Sequence, residues 1–367
     1  MFDIIVIGGN LAGTTAAINA ALEGASVALI ERNQEPFFPP HCGELIPDST
    51  AESLHLDKMG CSINEISTMI FTLSQKKYIF NLKKHKFVMF DRYCVEKHLL
   101  KEAKRVGVDV KLGVRMKDFK PPFEIFLDDN HIIKGRIIID ASGIACCVGN
   151  RIGVDTKLRP EDIGVCIQSR VQGDFKKDTT DWYFHNPYAP FGYAWLFPFN
   201  DNMANIGLIV TGGQKLDLAK MLKNYIGDMT KGRYKITSTF RASVPIAKPL
   251  RRLIKDNVMI VGDAARLSHA VSGGGIDNAL SSGRLAGRIA SKYIHKEISS
   301  LEAYQHAMRL KLLRLRMEHK VKARAIKSDE RFVKTYQGIF SISSFVNRLV
   351  PNVSHINLLA GLENIST

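Results

Sequence analysis

Three observations predict an α/β protein. The apolar run DIIVI, residues 3–7, leads straight into the cluster Gly8-Gly9-Asn10-Leu11-Ala12-Gly13 and then a helix of small residues. A second strand, glycine-rich loop and small-residue helix follow about 250 residues later, in NVMIVGDAARLSHAVSGGGIDNALSSGRLAGRIASKYI. Between them, residues 160–246 gather aromatics and alternating apolar stretches. The fold read from these is a nucleotide-binding α/β domain made of separated segments. A mainly antiparallel β domain interrupts it, and a helical tail follows.

Residues 2–8 read as a strand by their apolar run. AGTTAAINAALE, 12–23, reads as a helix able to approach a sheet closely, and Gly24 ends it. SVALIER is the second strand of a βαβ start. FFPPHCGELIPDS reads as a proline-rich loop, residues 66–82 as a β-hairpin, and 91–107 as an amphipathic helix closed by Gly107. Short strands fill 109–139, and HIIKGRIIIDASG is a strand ending in Asp140 and a small-residue turn. Trp182, Tyr183, Phe184, Tyr188, Phe191, Tyr193, Trp195, Phe197 and Phe199 mark the β domain, with ANIGLIV one of its alternating strands. The last 65 residues read as helical and basic. The expected division is a first domain from 1–60, 85–155 and 255–300, a β domain from 61–84 and 156–254, and a helical region 301–367.

Bulk composition bounds the rest. The 367 residues are 45% apolar and 24% charged, ordinary for a globular chain. The net charge of +15 suits an anionic lipid surface, an acidic protein or nucleic acid. No nucleic-acid module accompanies that charge, which disfavours an RNA or DNA partner. No secretory signal and no run of about 18 apolar residues is read, so a cytoplasmic chain that does not span a bilayer is expected. Cys42, Cys61, Cys94, Cys146, Cys147 and Cys166 form no C-x-x-C pair, and most are expected to be buried free thiols with no metal site.

The first glycine cluster is almost a dinucleotide turn, G-x-G-x-x-G, with Asn10 at the middle glycine. Gly8 would make the tight bend and Gly13 would let helix and strand pack closely. The helix N-terminus offers N–H groups and partial positive charge to phosphate. Asn tolerates left-handed backbone angles, so the turn is expected to survive the change. Glu31 ends the second strand, where a carboxylate can bond a ribose diol. In the second cluster, Asp263 can bond sugar-like hydroxyls, and Gly273-Gly274-Gly275 can line an anion site. Packing alone does not readily explain two such turns.

These two clusters resemble the FAD-dependent proteins with the p-hydroxybenzoate hydroxylase type of fold. PPHCGELIP, DRYCVEKHLLKEA, IIIDASG and GYAWLFP are similar to the geranylgeranyl reductase family, which includes archaeal digeranylgeranylglycerophospholipid reductases. The resemblance covers roughly residues 1–300. It implies a discontinuous Rossmann-like FAD-binding domain with an inserted mainly antiparallel β substrate domain and a helical C-terminal tail. It implies FAD contacts from Gly8, Asn10, Leu11, Ala12, Gly13, Glu31, Arg32, Cys42, Gly43, Arg92, Ala141, Gly143, Gly262, Asp263, Gly274, Gly275 and Ile276. Cys42 would sit at the reacting side of the flavin, as the catalytic candidate. Tyr193, Trp195 and Pro198 would line a lipid cavity. Two positions depart from the family pattern: Asn10, and Ile209 in NIGLIV, where a second glycine is usual.

The activity so implied is reduction of C=C bonds in isoprenoid lipids. Electrons would come from ferredoxin or transiently bound NAD(P)H, since no further nucleotide-binding turn for NAD(P)H is read. Two alternatives stay open: a flavin monooxygenase on the same fold, and an FAD- or lipid-binding protein without turnover. In the tail, residues 304–327 hold eight Lys/Arg against one acid, Glu318. Leu310, Leu313, Met317, Val321 and Ala325 form one helical stripe. Such a helix either lies on an anionic membrane, making the protein peripheral, or packs on the body.

Overall fold

The computed structural model describes residues 1–35, 41–82, 86–121 and 124–349, the last six of these as backbone only. The part of the proline-rich loop at 36–40 and the tail beyond 349 lie outside the described residues. An eight-stranded sheet is centred on Phe2–Ile7. Val27–Glu31 and Ile132–Asp140 flank that strand in parallel, and Asp109–Leu112 and Val258–Ile260 extend the parallel set outward. Ile4, Ile5 and Val6 have no exposed surface, as a central strand covered on both faces requires.

Helices Leu11–Leu22 and Ile276–Ile294 pack directly on each other. A Cβ on Gly283 would stand 2.2 Å from Ala12 O, and one on Gly287 2.2 Å from Ala16 O. The small residues of both helices exist for this backbone approach. It brings the two N-termini, and so the two glycine turns, to one end of the sheet.

A seven-stranded sheet runs in the order Lys235–Pro245, Ile163–Gln172, Met203–Thr211, Ala189–Asn200, Thr179–His185, Thr68–Leu73, Lys76–Asn81. All neighbours are antiparallel except Thr179–His185 with Thr68–Leu73. The 66–82 hairpin is therefore present, and it joins this sheet. One sheet face packs Ile167, Leu196 and Leu208 against helix Leu218–Met229. The other carries Phe71, Phe184, Tyr193 and Trp195 toward Phe332, Tyr336 and Phe340 of the last helix, Asp329–Leu349. Burying each of those three rings contributes about 2 kcal/mol, which ties the tail to the β domain.

The proline-rich segment is not wholly loop. Leu45–Pro47 is a strand paired with Phe87–Phe90 in a third, three-stranded sheet, and a short helix, Asp48–Leu54, follows. Of the cysteines, Cys42, Cys146, Cys147 and Cys166 are free, but only Cys146 is fully buried. Cys61 and Cys94 form a disulfide across 33 residues, a pairing that spacing alone did not suggest. Among the described residues no helix is long and apolar enough to cross a membrane.

Candidate active site

The first turn keeps its dinucleotide shape, with Gly8 and Gly13 in the roles expected of them and only Asn10 differing. Gly8 carries the positive φ, +107°, and a Cβ there would stand 2.3 Å from Ala141 O. A Cβ on Gly13 would stand 1.8 Å from Gly8 O. Asn10 is extended, with φ −85° and ψ −174°, so its tolerance of left-handed angles is never called upon. It stands at the N-cap position of helix Leu11–Leu22, its carbonyl accepting from Thr14 N at 2.9 Å without a side-chain cap bond, exposed at the cavity wall.

Glu31 is 5% exposed yet lines the same cavity. Its Oε2 accepts from Gly9 N at 2.7 Å and its Oε1 from Asn33 N at 2.8 Å. Each oxygen keeps a further lone pair for a ribose hydroxyl. Arg32 beside it is exposed and also reaches the wall.

Arg92 opens helix Arg92–Arg105 and is buried against Glu96, one helical turn on, with Nε 2.9 Å and Nη2 2.7 Å from Oε1. That oxygen also accepts from Leu11 N at 3.2 Å, so Glu96 joins Arg92 to the first turn. Burial raises the Glu96 pKa, with Arg92 working the other way. Arg92 Nη1 also lies 3.9 Å from Cys42 Sγ. Burial pushes the Cys42 thiol above its ordinary pKa, although Arg92 favours the thiolate. Cys42 is thus a neutral thiol near neutral pH, able to hold a proton and poorly suited to act as a nucleophile.

The second glycine turn faces the first. Gly262 has φ +57°, and Asp263 Oδ1 accepts from Ser268 Oγ at 2.6 Å. Burial raises the Asp263 pKa, against Ser268 and Arg92. Gly274, Gly275 and Ile276 line the cavity at the N-terminus of helix Ile276–Ile294. Ala141 and Gly143 close the gap between the turns; a Cβ on Gly143 would meet only open space.

One cavity of about 720 Å³ runs from these turns to the aromatic face of the seven-stranded sheet. Tyr193, Trp195 and Phe197 point into it from alternate positions of one strand. Gly207 makes room for Trp195, because a Cβ there would stand 2.3 Å from the indole. Pro198 does not join them. It has the other parity in the strand and is buried away from the cavity, its carbonyl accepting from Asn64 Nδ2 at 3.1 Å. Ile209 lines the cavity opposite Tyr193 in the ladder, close to Gly273.

Sequence reasoning missed the groups that fix the Cys42 loop. Glu44 is 2% exposed with φ +59°. It accepts from Arg92 N at 3.1 Å, Arg170 Nη2 at 2.6 Å and Asn205 Nδ2 at 2.9 Å. Gln168 Nε2 donates to Cys42 O at 2.9 Å, and Asn205 Nδ2 to Gly43 O at 3.2 Å. The available signal was polar residues at inward positions of apolar strands, Gln168 in IGVCIQSRVQ and Asn205 in MANIGLIV.

It also missed the tail. Tyr336 and Phe340 line the cavity, and Glu318 Oε2 lies 2.9 Å from Nδ1 of buried His269. His269 in turn brackets the glycine loop: its N–H donates to Gly274 O at 2.7 Å, and Gly273 N donates to its carbonyl at 2.8 Å. Burial opposes the charged imidazole, but Asp277 and Glu318 outweigh it and raise the pKa to about 9.

Two phosphate-type turns, two helix N-termini and a buried carboxylate–guanidinium pair converge on one cavity. Its polar end fits FAD, and the site is that of an FAD-dependent oxidoreductase. Residues 3–36 match the FAD dependent oxidoreductase family, and residues 162–244 match the geranylgeranyl reductase catalytic domain. Digeranylgeranylglycerophospholipid reductase 1 of Methanococcoides burtonii is 32% identical, the match covering 81% of this chain and 76% of the relative. Digeranylgeranylglycerophospholipid reductase of Methanosarcina mazei is 29% identical over 80% and 76%. Among solved structures, a geranylgeranyl bacteriochlorophyll reductase-like protein from Thermoplasma acidophilum superposes with TM-score 0.82 at 25% identity, covering 97% of this chain and 98% of that one. The flavin-dependent brominase Bmp2, at TM-score 0.73 and 15% identity over 98% and 93%, shares the fold. The chain belongs to the geranylgeranyl reductase family.

Proposed function

We infer that this enzyme saturates C=C bonds of geranylgeranyl-type lipids. The observation that carries the reading is the single cavity that joins the FAD turns to a wall of aromatic side chains. The names of its relatives support the same substrate class. In this reading residues 1–60, 85–155 and 255–300 form the FAD unit, and 61–84 with 156–254 the substrate unit. Gly8 and Asn10, with the helix start at Leu11 and Ala12, would hold the pyrophosphate while Gly13 packs beneath them; Glu31 would hold the ribose, and Arg92 and Asp263 would run along the length of the cofactor. Gly274, Gly275 and Ile276 support its ring.

Bound and reduced, FAD supplies a hydride. An isoprenoid double bond has no carbonyl to activate it, so a proton must reach the other carbon in the same fixed geometry. Tyr193 and Trp195 hold the chain and exclude water, which orients the bond. Cys42 keeps its thiol proton at the meeting point of the two halves, and we assign it the catalytic contact. Electrons arrive from a reduced acidic ferredoxin, favoured by the basic surface, or from transient NAD(P)H.

The test is anaerobic photoreduction of the holoenzyme followed by a geranylgeranyl lipid. The expected result is flavin reoxidation without oxygen, and a product heavier by two hydrogens for each saturated bond. Reoxidation only in air, with a hydroxylated product, would give the site to monooxygenation. Cys42→Ala should keep FAD and lose most turnover; unchanged turnover removes Cys42 from the chemistry.

A further inference from the structure

We propose that the outer face of helix Arg309–Ala325 is the surface by which this enzyme docks on an anionic lipid bilayer. The helix is firmly held from within. Leu312, Leu315, Lys322 and Ala325 are buried, Lys322 Nζ donates to Ile246 O at 3.1 Å, and Arg316 Nη2 donates to Leu250 O at 3.3 Å. The exposure of its other face is therefore a fixed feature and not fraying.

That face is apolar where solvent would select polar residues. Leu310 is 72% exposed, Met317 66%, Leu313 46% and Val321 37%. At helical spacing they form one line. Ala325, which the sequence pattern added to the stripe, turns inward. Arg309 and Lys320 lie along one edge of the line, Arg324 lies within it, and Lys327 follows just past the helix end; all four are exposed. An ordered row of large apolar side chains edged by cations is the pattern of a helix lying in a membrane interface. An acidic soluble partner would match the cations, but the four large apolar side chains standing out between them are matched by the acyl layer beneath the headgroups. The row of cations and the net charge of +15 are matched by an anionic headgroup layer.

The next helix, Asp329–Leu349, lines the cavity with Tyr336 and Phe340. Docking through the basic helix thus sets the cavity's aromatic end beside the bilayer that would hold a lipid substrate. The proposal rests on exposure and charge, so it stands or falls apart from the identity of that substrate.

The test is co-sedimentation of the full-length holoenzyme with phosphatidylglycerol-containing vesicles and with phosphatidylcholine vesicles, at low and high salt. Binding is expected only to the anionic vesicles and should weaken with salt. Leu310→Ser with Met317→Ser should weaken it about tenfold or more. Lys320→Glu with Arg324→Glu should abolish it. Both double variants should keep bound FAD and full reduction of a detergent-dispersed prenyl substrate. Equal binding to both vesicle types, or variants that bind like the parent, overturn the proposal. So does a dimer that Met317→Ser converts to monomer in a protein that ignores vesicles, which gives the face to a second copy. A chain truncated after Leu349 that binds where the full chain does not gives it to the protein's own last residues.

Discussion

The two ends of the cavity are built from different materials. The FAD end is largely backbone: Gly8 and Gly13, where an added Cβ would strike another main-chain atom, and two helix N-termini. The far end is side chain: aromatic rings from neighbouring strands and from the tail. Backbone contacts tolerate no added atom but are indifferent to much of the surrounding sequence. Side-chain walls can be repacked, and each repacking changes what fits. The Cys42–Glu44 loop stands between them and is bonded to both.

The contrast predicts the ranking of variants. Gly13→Ala should be the most damaging, because its methyl would overlap Gly8 O; loss of bound flavin absorbance and about 4 kcal/mol of stability are expected by spectrum and denaturant titration. An FAD-loaded, stable Gly13→Ala protein would break the claim that this end is made of backbone. Glu44→Gln comes next. It leaves Arg170 facing a neutral partner at the joint between the halves and should cost about 2–3 kcal/mol. It should also reduce prenyl turnover more than FAD affinity.

The His269–Glu318 pair gives a smaller, pH-dependent effect. The folded His269 pKa is above its ordinary 6.5, so its contribution is complete below that value and is lost as pH rises through about 9. The melting temperature should fall more steeply from about pH 7 to about pH 10 in the parent than in Glu318→Gln. Parallel curves would remove the charged pair. Asn10→Gly should do least, changing FAD affinity by about twofold or less, because an extended residue gains nothing from glycine's freedom.

Asn10 also shows where sequence reading reaches its limit. Spacing located the turn, both helices and the strand that ends at Glu31, because apolar period and glycine position are local properties. It named Gly8 for the bend but did not show that Asn10 would be extended, nor that Ala141 from another strand closes on Gly8. Pro198 was misread although its parity was legible: alternation separates it from Tyr193 and Trp195. The Cys61–Cys94 bond and the buried set around Glu44 join residues 33 to 161 positions apart, and no local pattern records such partners. The tail helices were visible, but a helical stripe says only that a face is apolar, not whether it is covered. It does not say that Phe340 closes the cavity.

The tail's reach has a consequence in time. A growing chain emerges from its amino end, so the Gly8–Gly13 turn is made first and waits for everything that completes its cavity. Glu318 must appear before the loop at Gly273–Gly275 is braced, and Tyr336 and Phe340 before the aromatic wall is shut. Until about residue 340 has left the ribosome, the nascent chain carries an open, greasy half-site. Synthesis that stalls between Glu318 and Phe340 would therefore release a product with both glycine turns made but its cavity open, and prone to aggregate.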